Sequence, residues 1–573
     1  MVRPTFLGFE TARRAMNISQ AGLDVVGNNI ANVNTAGYTR QRALQHSLHN
    51  SFTQQFQIFG ARGHFSGQGA DLGGISQIRD PFLDTRFRRE ASTNGHQAVV
   101  MGGLMDIERI LDEVATTGLH DAMLALIGEI SKFAANADSP EIAVVVRNKA
   151  MTLTQMFNRS AQDLLGALEA QRFDLDVAVT QDVNTSLERI AYLNGRIREV
   201  HMFGGPANEL QDERNLLLDK LAHFLPIQIV RTPEQVTNTR SIERVSVYLS
   251  AGPGSPAIQL IDNEHFNLLS AVSGDDGAAI YLVDGASQFP IRSAGANGNI
   301  TDNITSGGLR GFLDVINGLG DFAGHHENSF RGIQYHQRAL DVKAQTFARL
   351  MNQLNSISAE EAHPPYINEQ SRPLFSPNMP ASQLELLREI HGADFDPTNA
   401  VNALNITISG HWLAEANWFT TTKQPPSAPV AVLDEYGRPT FDDDGRQIFY
   451  TPSNSDNLLK FVNLLQHNTI HFQSRNGNGE VITLFRGTFL EGLISQQSIL
   501  GLDLSTVEAL LTASDLVING FADSRDSISA VSMDEEAVNM MIFQNHYNAA
   551  ARFMTVLDEA VVTIIERMGL AGR

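Results

Sequence analysis

The 573-residue chain contains no cysteine. Disulfides, thiolate metal sites and a cysteine nucleophile are therefore excluded together. No apolar run is long enough to span a bilayer. The start, Met1-Val2-Arg3-Pro4-Thr5-Phe6, leads into no continuous apolar core of signal-peptide length. Basic residues are outnumbered, with 42 Lys and Arg against 64 Asp and Glu, for a net charge of −22. That balance argues against nucleic acid or an anionic membrane as a partner, and no basic cluster reverses it. Catalytic motifs are missing as well: there is no His-Glu-x-x-His, no phosphate-binding loop and no Gly-x-Ser-x-Gly. His325-His326-Glu327 with His336 is a conceivable metal set, but a solvated polar helix explains those residues. Asp442-Asp443-Asp444-Gly445 lacks the alternating ligands and closing glutamate of a calcium loop and reads as a hairpin turn. No catalytic residue, metal ligand or cofactor is expected.

What is present is a heptad seam at each end. Phe9, Ala12, Met16, Ser19, Leu23, Val26, Ile30 and Val33 step by three and four. The helix then stops at Asn32-Val33-Asn34-Thr35-Ala36-Gly37-Tyr38, where Asn and Gly tolerate a left-handed backbone. At the other end Met540, Phe543, Tyr547, Ala550, Met554, Leu557, Val561, Ile564 and Met568 repeat the pattern. Ser532-Met533-Asp534-Glu535 before them reads as a capping box. Two such helices call for a partner: each other, and other copies of the chain. The assembly interface expected from this pattern comprises Phe9, Ala12, Met16, Leu23, Val26, Ile30, Val33, the turn residues Asn32, Asn34, Thr35, Gly37 and Tyr38, and the C-terminal seam.

A chain of this length calls for several domains. After the turn, residues 43–74 read as extended backbone and loop. Asp80-Pro81 starts a helix that ends near Leu111-Asp112-Glu113. Another spans Leu119 to about Ala135, and Ser139-Pro140 begins a run to about Met202. In Asn208 to Leu221 the apolar Leu210, Leu217 and Leu221 share a face, and the charged residues between them read as a solvated face. Short β-type runs at 227–230, 245–249 and 279–283 mark an insertion, with glycine-rich turns between them. Helix resumes after Gly307-Gly308 and is expected to continue to about Leu354. A second excursion holds a strand candidate at Leu404 to Ile408 and successive β-turns at 434–438 and 442–446. Helices at 455–466 and 489–525 complete the chain.

The words around the first turn carry a resemblance. Asn28-Asn29-Ile30-Ala31-Asn32-Val33-Asn34-Thr35-Ala36-Gly37-Tyr38-Thr39-Arg40-Gln41 resembles the N-terminal signature of bacterial flagellar axial proteins, the rod, hook and hook-associated proteins. Met533-Asp534-Glu535-Glu536, Asn539-Met540-Met541 and Tyr547-Asn548-Ala549-Ala550-Ala551-Arg552 look like the matching C-terminal signature. Gly37-Tyr38-Thr39-Arg40-Gln41, Asp138-Ser139-Pro140-Glu141 and Asn208 to Leu221 are most similar to the hook-associated protein 1 family. That family usually has Pro where Ala36 stands, and alanine takes the same turn less rigidly.

The resemblance implies a structural protein of the hook–filament junction. The expected fold is mainly α with β-rich insertions, nested: terminal helices paired as a coiled coil, a helical-bundle middle and outer β domains. The expected division is 1–42 with 533–573 for the coiled-coil core, and 43–225 with 303–362 and 456–532 for the helical domain. Residues 226–302 form the β-rich insert, and 363–455 the second excursion with a small β meander. Implied partners are other copies of the chain, the flagellar hook protein, a second junction protein and an export chaperone on the C-terminal helix. Nucleic acid and membrane are not among them. Implied location is extracellular, after type III export without a cleaved signal. Three alternatives stay open on sequence: a hook or distal-rod protein, an enzyme with a hydrolase or metal site in a β insertion, and a cytoplasmic coiled-coil adaptor.

Overall fold

A computed structural model describes residues 5–48, 69–111, 118–237, 240–250, 258–274, 277–284, 298–325, 327–358, 361, 370–392, 395–424, 430–431, 449–450 and 455–568. Helix α1 (Thr5–Ala31) exits into an antiparallel hairpin, β1 (Gln41–Ser47) with β2 (Ala70–Gln77). The helical body follows: α2 (Pro81–Leu111), α3 (Leu119–Ala135), α4 (Pro140–Val177), α5 (Asn184–Phe203) and α6 (Asn208–Phe224). The expected caps are in place. Asp80 Oδ1 accepts from the Phe82 N–H at 2.8 Å, and Ser139 accepts from Ile142 with Pro140 in the first turn. The run from Pro140 to Phe203 is interrupted by a π-helical turn, Ala178–Val183, and ends on Gly204 in the left-handed region.

The insertion is a five-stranded antiparallel meander in chain order: β3 (Ile227–Thr237), β4 (Arg240–Leu249), β5 (Ile258–Asp262), β6 (His265–Gly274) and β7 (Gly277–Asp284). Val245, Val247 and Leu249 alternate inward, as do Ile280 and Leu282. Two asparagines of α5 fasten the sheet to the body. Asn184 exchanges two hydrogen bonds with the Leu269 backbone, both 2.8 Å, and Asn194 donates to Asn263 O at 2.9 Å.

The helix expected from 308 to 354 is two. α7 (Gly308–Asn317) and α8 (Ile333–Asn355) are separated by a compact loop. Gly318 and Gly332 lie backbone on backbone, so that a Cβ on Gly318 would meet Gly332 N at 2.6 Å. Asp314 braces the loop by accepting from His96, Arg310 and Asn328. Further on come β8 (Phe375–Pro377), the unforeseen α9 (Ala381–His391) and β9 (Ile406–Ile408), which pairs with β8. A single helical turn, α10 (Gly410–Ala414), precedes β10 (Val430–Ala431) and β11 (Phe449–Tyr450), which pair antiparallel. The β-turns expected at 434–446 lie outside the described residues, as does the acidic triplet. α11 (Asp456–Gln466), an unforeseen hairpin of β12 (Ile470–Arg475) and β13 (Val481–Gly487), then α12 (Phe489–Ser529) and α13 (Met533–Met568) complete the chain.

The fold is mainly α with β insertions. One contiguous apolar core runs from Val100 to Val507. Its aromatic spine joins Phe347 to Phe375 (4.8 Å between centroids) and to Phe489 (5.5 Å). Trp412 and Phe419 enter it from the second excursion, so the start of that excursion is no break in packing.

Candidate assembly site

α1 and α13 lie against each other, antiparallel. A Cβ on Gly8 would touch Leu557 at 3.0 Å, and one on Gly22 would meet the Phe543 ring at 2.5 Å. Asn29 reaches Glu536 at 3.2 Å. From Gly8 to Gly22 is two heptads, as is Leu557 to Phe543, and one further heptad on each helix gives Asn29 and Glu536. One register thus holds along the whole pair.

Of the seam expected on α1, Ala12, Ser19 and Val26 are buried. Phe9, Met16, Leu23 and Ile30 are only half-buried. Contacts with α13 are made by Gly8, Gly22 and Asn29, one residue before Phe9, Leu23 and Ile30, while the buried Ala12, Ser19 and Val26 of the expected seam lie on the same side of the helix. Small side chains there let the two backbones approach. Ile18 and Val25 are also buried, one and two heptads from Thr11, which meets Gly69 beside the β1–β2 hairpin. On α13 the expected positions turn toward α1: Ala550 is buried, and Met540, Phe543, Met554, Leu557 and Val561 are half-buried. Tyr547 and Ile564 of that seam are more exposed, and the side chain of Met568 lies outside the described residues.

The exit turn is closed locally. Asn32 Nδ2 donates to Asn28 O at 2.9 Å, Thr35 Oγ1 to Asn32 Oδ1 at 3.2 Å, and the Tyr38 N–H to Thr35 O at 3.1 Å. Gly37 takes φ +78° against Leu216, a conformation that favours glycine. Val33 and Asn34 are part of the turn, and Asn34 is exposed.

The centre of the site is Asn29, 1% exposed. Its amide nitrogen donates to Gln41 O (2.9 Å) and Glu536, while Oδ1 accepts from Tyr38 Oη (2.9 Å) and the Gln41 N–H (3.0 Å). Burial, then the Glu209, Asp212 and Glu536 carboxylates, push the Tyr38 phenol up to about 12, so it remains a donor. Arg40 bridges to both Glu535 and Glu536, and its N–H donates to Ser529 O at 2.8 Å. The Glu535 carboxylate, expected to close a capping box, is thus turned onto Arg40. A capping box does form at Thr488 and Glu491, where α12 begins.

α6 receives the other side of the turn. The Thr39 N–H donates to Asp212 Oδ2 at 3.1 Å, Gln41 Nε2 to Glu209 at 3.2 Å, and Asn208 Nδ2 to Gln41 Oε1 at 3.1 Å. Asn208, Asp212, Arg214 and Asn215 are buried, which corrects the solvated face read from sequence. Polarity suggested water, but Asn208 and Asp212 bond instead to Gln41 and Thr39, far away in the chain. Burial raises Asp212 to about 6 against the hydrogen bond from Thr39, and its Oδ1 has no partner. Arg79 clasps Asp84 at 2.6 and 2.9 Å, and Asp219 holds both Arg88 (2.7 Å) and Arg525 (2.6 Å). Sequence reasoning missed Asn29, Arg40, Gln41 and Glu536 as site residues. The signal was a polar residue on the inward side of a heptad helix, within the signature words.

Of the conceivable metal set, His326 lies outside the described residues, and His325, Glu327 and His336 are not grouped to hold a metal. His336 is buried against Gln496 Nε2, 3.1 Å from its Nδ1, and burial pushes its pKa down to about 3. Glu327 accepts from the Gly324 N–H. Among the described residues no three His, Asp or Glu are grouped to hold a metal, and no helix is long and apolar enough to cross a membrane.

Comparison with known proteins places this geometry. The family described as "Flagellar hook-associated protein FlgK helical domain" matches residues 104–359, and "Flagella basal body rod protein" matches 9–39, the first helix and its exit turn. Flagellar hook-associated protein 1 of Bacillus subtilis (strain 168) is 26% identical, over 99% of this chain and 99% of that one. The Salmonella typhimurium (strain LT2) protein of the same name is 25% identical over 38% of each chain. The flagellar hook junction protein FlgK from Burkholderia pseudomallei shares the fold, with a TM-score of 0.52, 13% identity and coverage of 78% of this chain and all of that one. Carrying the rod-type first helix, the hook-associated helical domain and a full-length relative of that name, the chain belongs to the flagellar hook-associated protein 1 family.

Proposed function

We propose that copies of this chain join hook to filament by packing their α1–α13 pairs side by side into an inner tube. Membership of the family makes the chain a structural component of the flagellum. One observation carries the mechanism: the outer side of α13 is apolar and uncovered. Val538 is 50% exposed, Val556 60% and Ile565 68%, with Met541, Ile542, Phe553 and Val562 also exposed. An apolar stripe of that length on a single helix is an interface awaiting a partner. Neighbouring copies supply it in the tube.

Under this reading, 1–42 with 533–573 form the inner layer. The helical domain, 43–225 with 303–362 and 456–532, forms the next, and 226–302 and 363–455 face outward. The hook protein lies on one side and a second junction protein on the other. Before export a chaperone covers the stripe of α13. The chain then leaves the cell unfolded and acts outside it, a route with which the lack of cysteine is compatible. Its work is architectural, with no catalytic step.

The test uses two substitutions. Val556→Asp alters only the exposed side, so the isolated chain should keep its stability to within about 0.5 kcal/mol. It should nevertheless fail to enter junctions, leaving hooks without filaments and filament protein in the medium. Met554→Asp, half-buried against α1, should cost several kcal/mol in the isolated chain, to order of magnitude. Normal junctions and motility in Val556→Asp would sink the proposal.

A further inference from the structure

Arg214, on the buried side of α6, is a guanidinium that makes no ion pair with a carboxylate; Glu243, which acts on its charge, is engaged by Arg231. It is 3% exposed; one terminal nitrogen donates to Asn194 Oδ1 at 3.0 Å, and Nε meets no acceptor. The arginines around it are paired, Arg79 with Asp84 and Arg88 with Asp219. A buried charge left alone is costly and is tolerated where an opposite charge can be delivered.

A route for delivery exists. Arg214 lines a cavity of about 500 Å³ between β2, the start of α2, the end of α5 and β3. Arg79, Arg231 and His201 line it too, with the backbone of Gly204, Gly205 and Pro206. Among the described lining residues Asp84 is the sole acid, and Arg79 occupies it. Arg231 stands 3.8 Å from Glu243 on the surface of the sheet. The first turn of α6 also points here: Asn208 and Gln211 line the cavity, and Ala207 at the N-cap offers no side-chain acceptor to the free N–H groups. Burial, then the charge of Arg231, lowers Arg214 to about 10, against the opposing pull of the Glu243 carboxylate, which Arg231 holds.

We propose that this cavity is an oxyanion site, taking a carboxylate or phosphate group between Arg214 and Arg231 at the N-terminus of α6. The group has two possible sources, a free inorganic anion or an acidic side chain of a neighbouring copy. The site itself is independent of the assembly reading, and only the choice of source rests on it.

The probe is inorganic phosphate exchanged for chloride at constant ionic strength, with the full chain. Thermal unfolding should show a saturable rise, about 2 °C at tenfold excess over Kd. Arg189→Gln, at an exposed site elsewhere on α5, should keep the rise. Arg231→Gln and Arg214→Gln should abolish it, and if Arg214→Gln does not fold, the surface variant carries the comparison. No saturable rise in the parent chain, or an equal rise in Arg231→Gln, overturns the proposal. Radiolabelled phosphate then separates the sources. Release as the chain assembles on hooks assigns the group to a neighbour's acid; retention assigns it to the free anion.

Discussion

Asn29 uses two amide donors and an oxygen that accepts twice, all within the buried crossing of α1, the exit turn and α13. Replacing it with Ala strands the Gln41 backbone and the Tyr38 hydroxyl together. Asn29→Ala should therefore cost on the order of 3 kcal/mol, read as a lower urea midpoint for the transition that includes the terminal helices. Asp212 behaves in the opposite sense. Its folded-state pKa of about 6 lies above the ordinary 3.8, so the folded chain holds that proton more tightly. Its favourable contribution is complete below about pH 4 and is lost as pH rises through 6. Asp212→Asn keeps an acceptor for Thr39 and removes the buried charge. At pH 8 it should be more stable than the parent by roughly 2 kcal/mol, with the gain gone at pH 4. Equal urea midpoints at pH 8 would refute this. Neither residue's role was legible in sequence, because each depends on partners brought from far along the chain.

At the scale of elements, periodicity found both terminal helices and the buried Ala12, Ser19 and Val26 of α1, but not the contacts at Gly8, Gly22 and Asn29, one residue before Phe9, Leu23 and Ile30. A hydrophobicity pattern favours large side chains, whereas a close helix pair favours small ones at the contact. Glycines made the same kind of decision in the body. A Cβ on Gly95, in the middle of α2, would lie 2.1 Å from His223 O at the end of α6. No side chain can give way there, because the obstacle is backbone. Gly95→Ala should gain about 1 kcal/mol of helix propensity and lose more through displacement of α6. The net cost should be about 2 kcal/mol, and a calorimetric Tm at or above the parent's would contradict it. The break between α7 and α8 also escaped sequence reading, although Asn317-Gly318 and the further glycines to Gly332 signal it; the loop is held by Asp314 and by glycines packed on backbone.

For the molecule as a whole, the contiguous core includes no residue of α1 or α13. The terminal pair joins the body through the exit turn, its hydrogen bonds to α6 and the Arg40 bridges. Such an attachment should open before the body does. The full chain is expected to unfold in two steps, the first being loss of the pair. Removing 1–31 together with 533–573 should leave the Tm of the second step within about 4 °C. A single cooperative transition, lost altogether on truncation, would show instead that the rod and body fold as one unit.

By itself the sequence determined the nested order of the elements, the two heptad helices, the caps at Asp80 and Ser139, and the family. Each of these is written in neighbouring residues, where period, cap and turn chemistry act over a few positions. Only the tertiary structure decided which face of α1 meets α13, that the polar residues of α6 are buried, that Trp412 belongs to the common core, and that Arg214 makes no ion pair. Those outcomes depend on how close two backbones come and on which distant group satisfies a buried charge, and local pattern does not encode either distance.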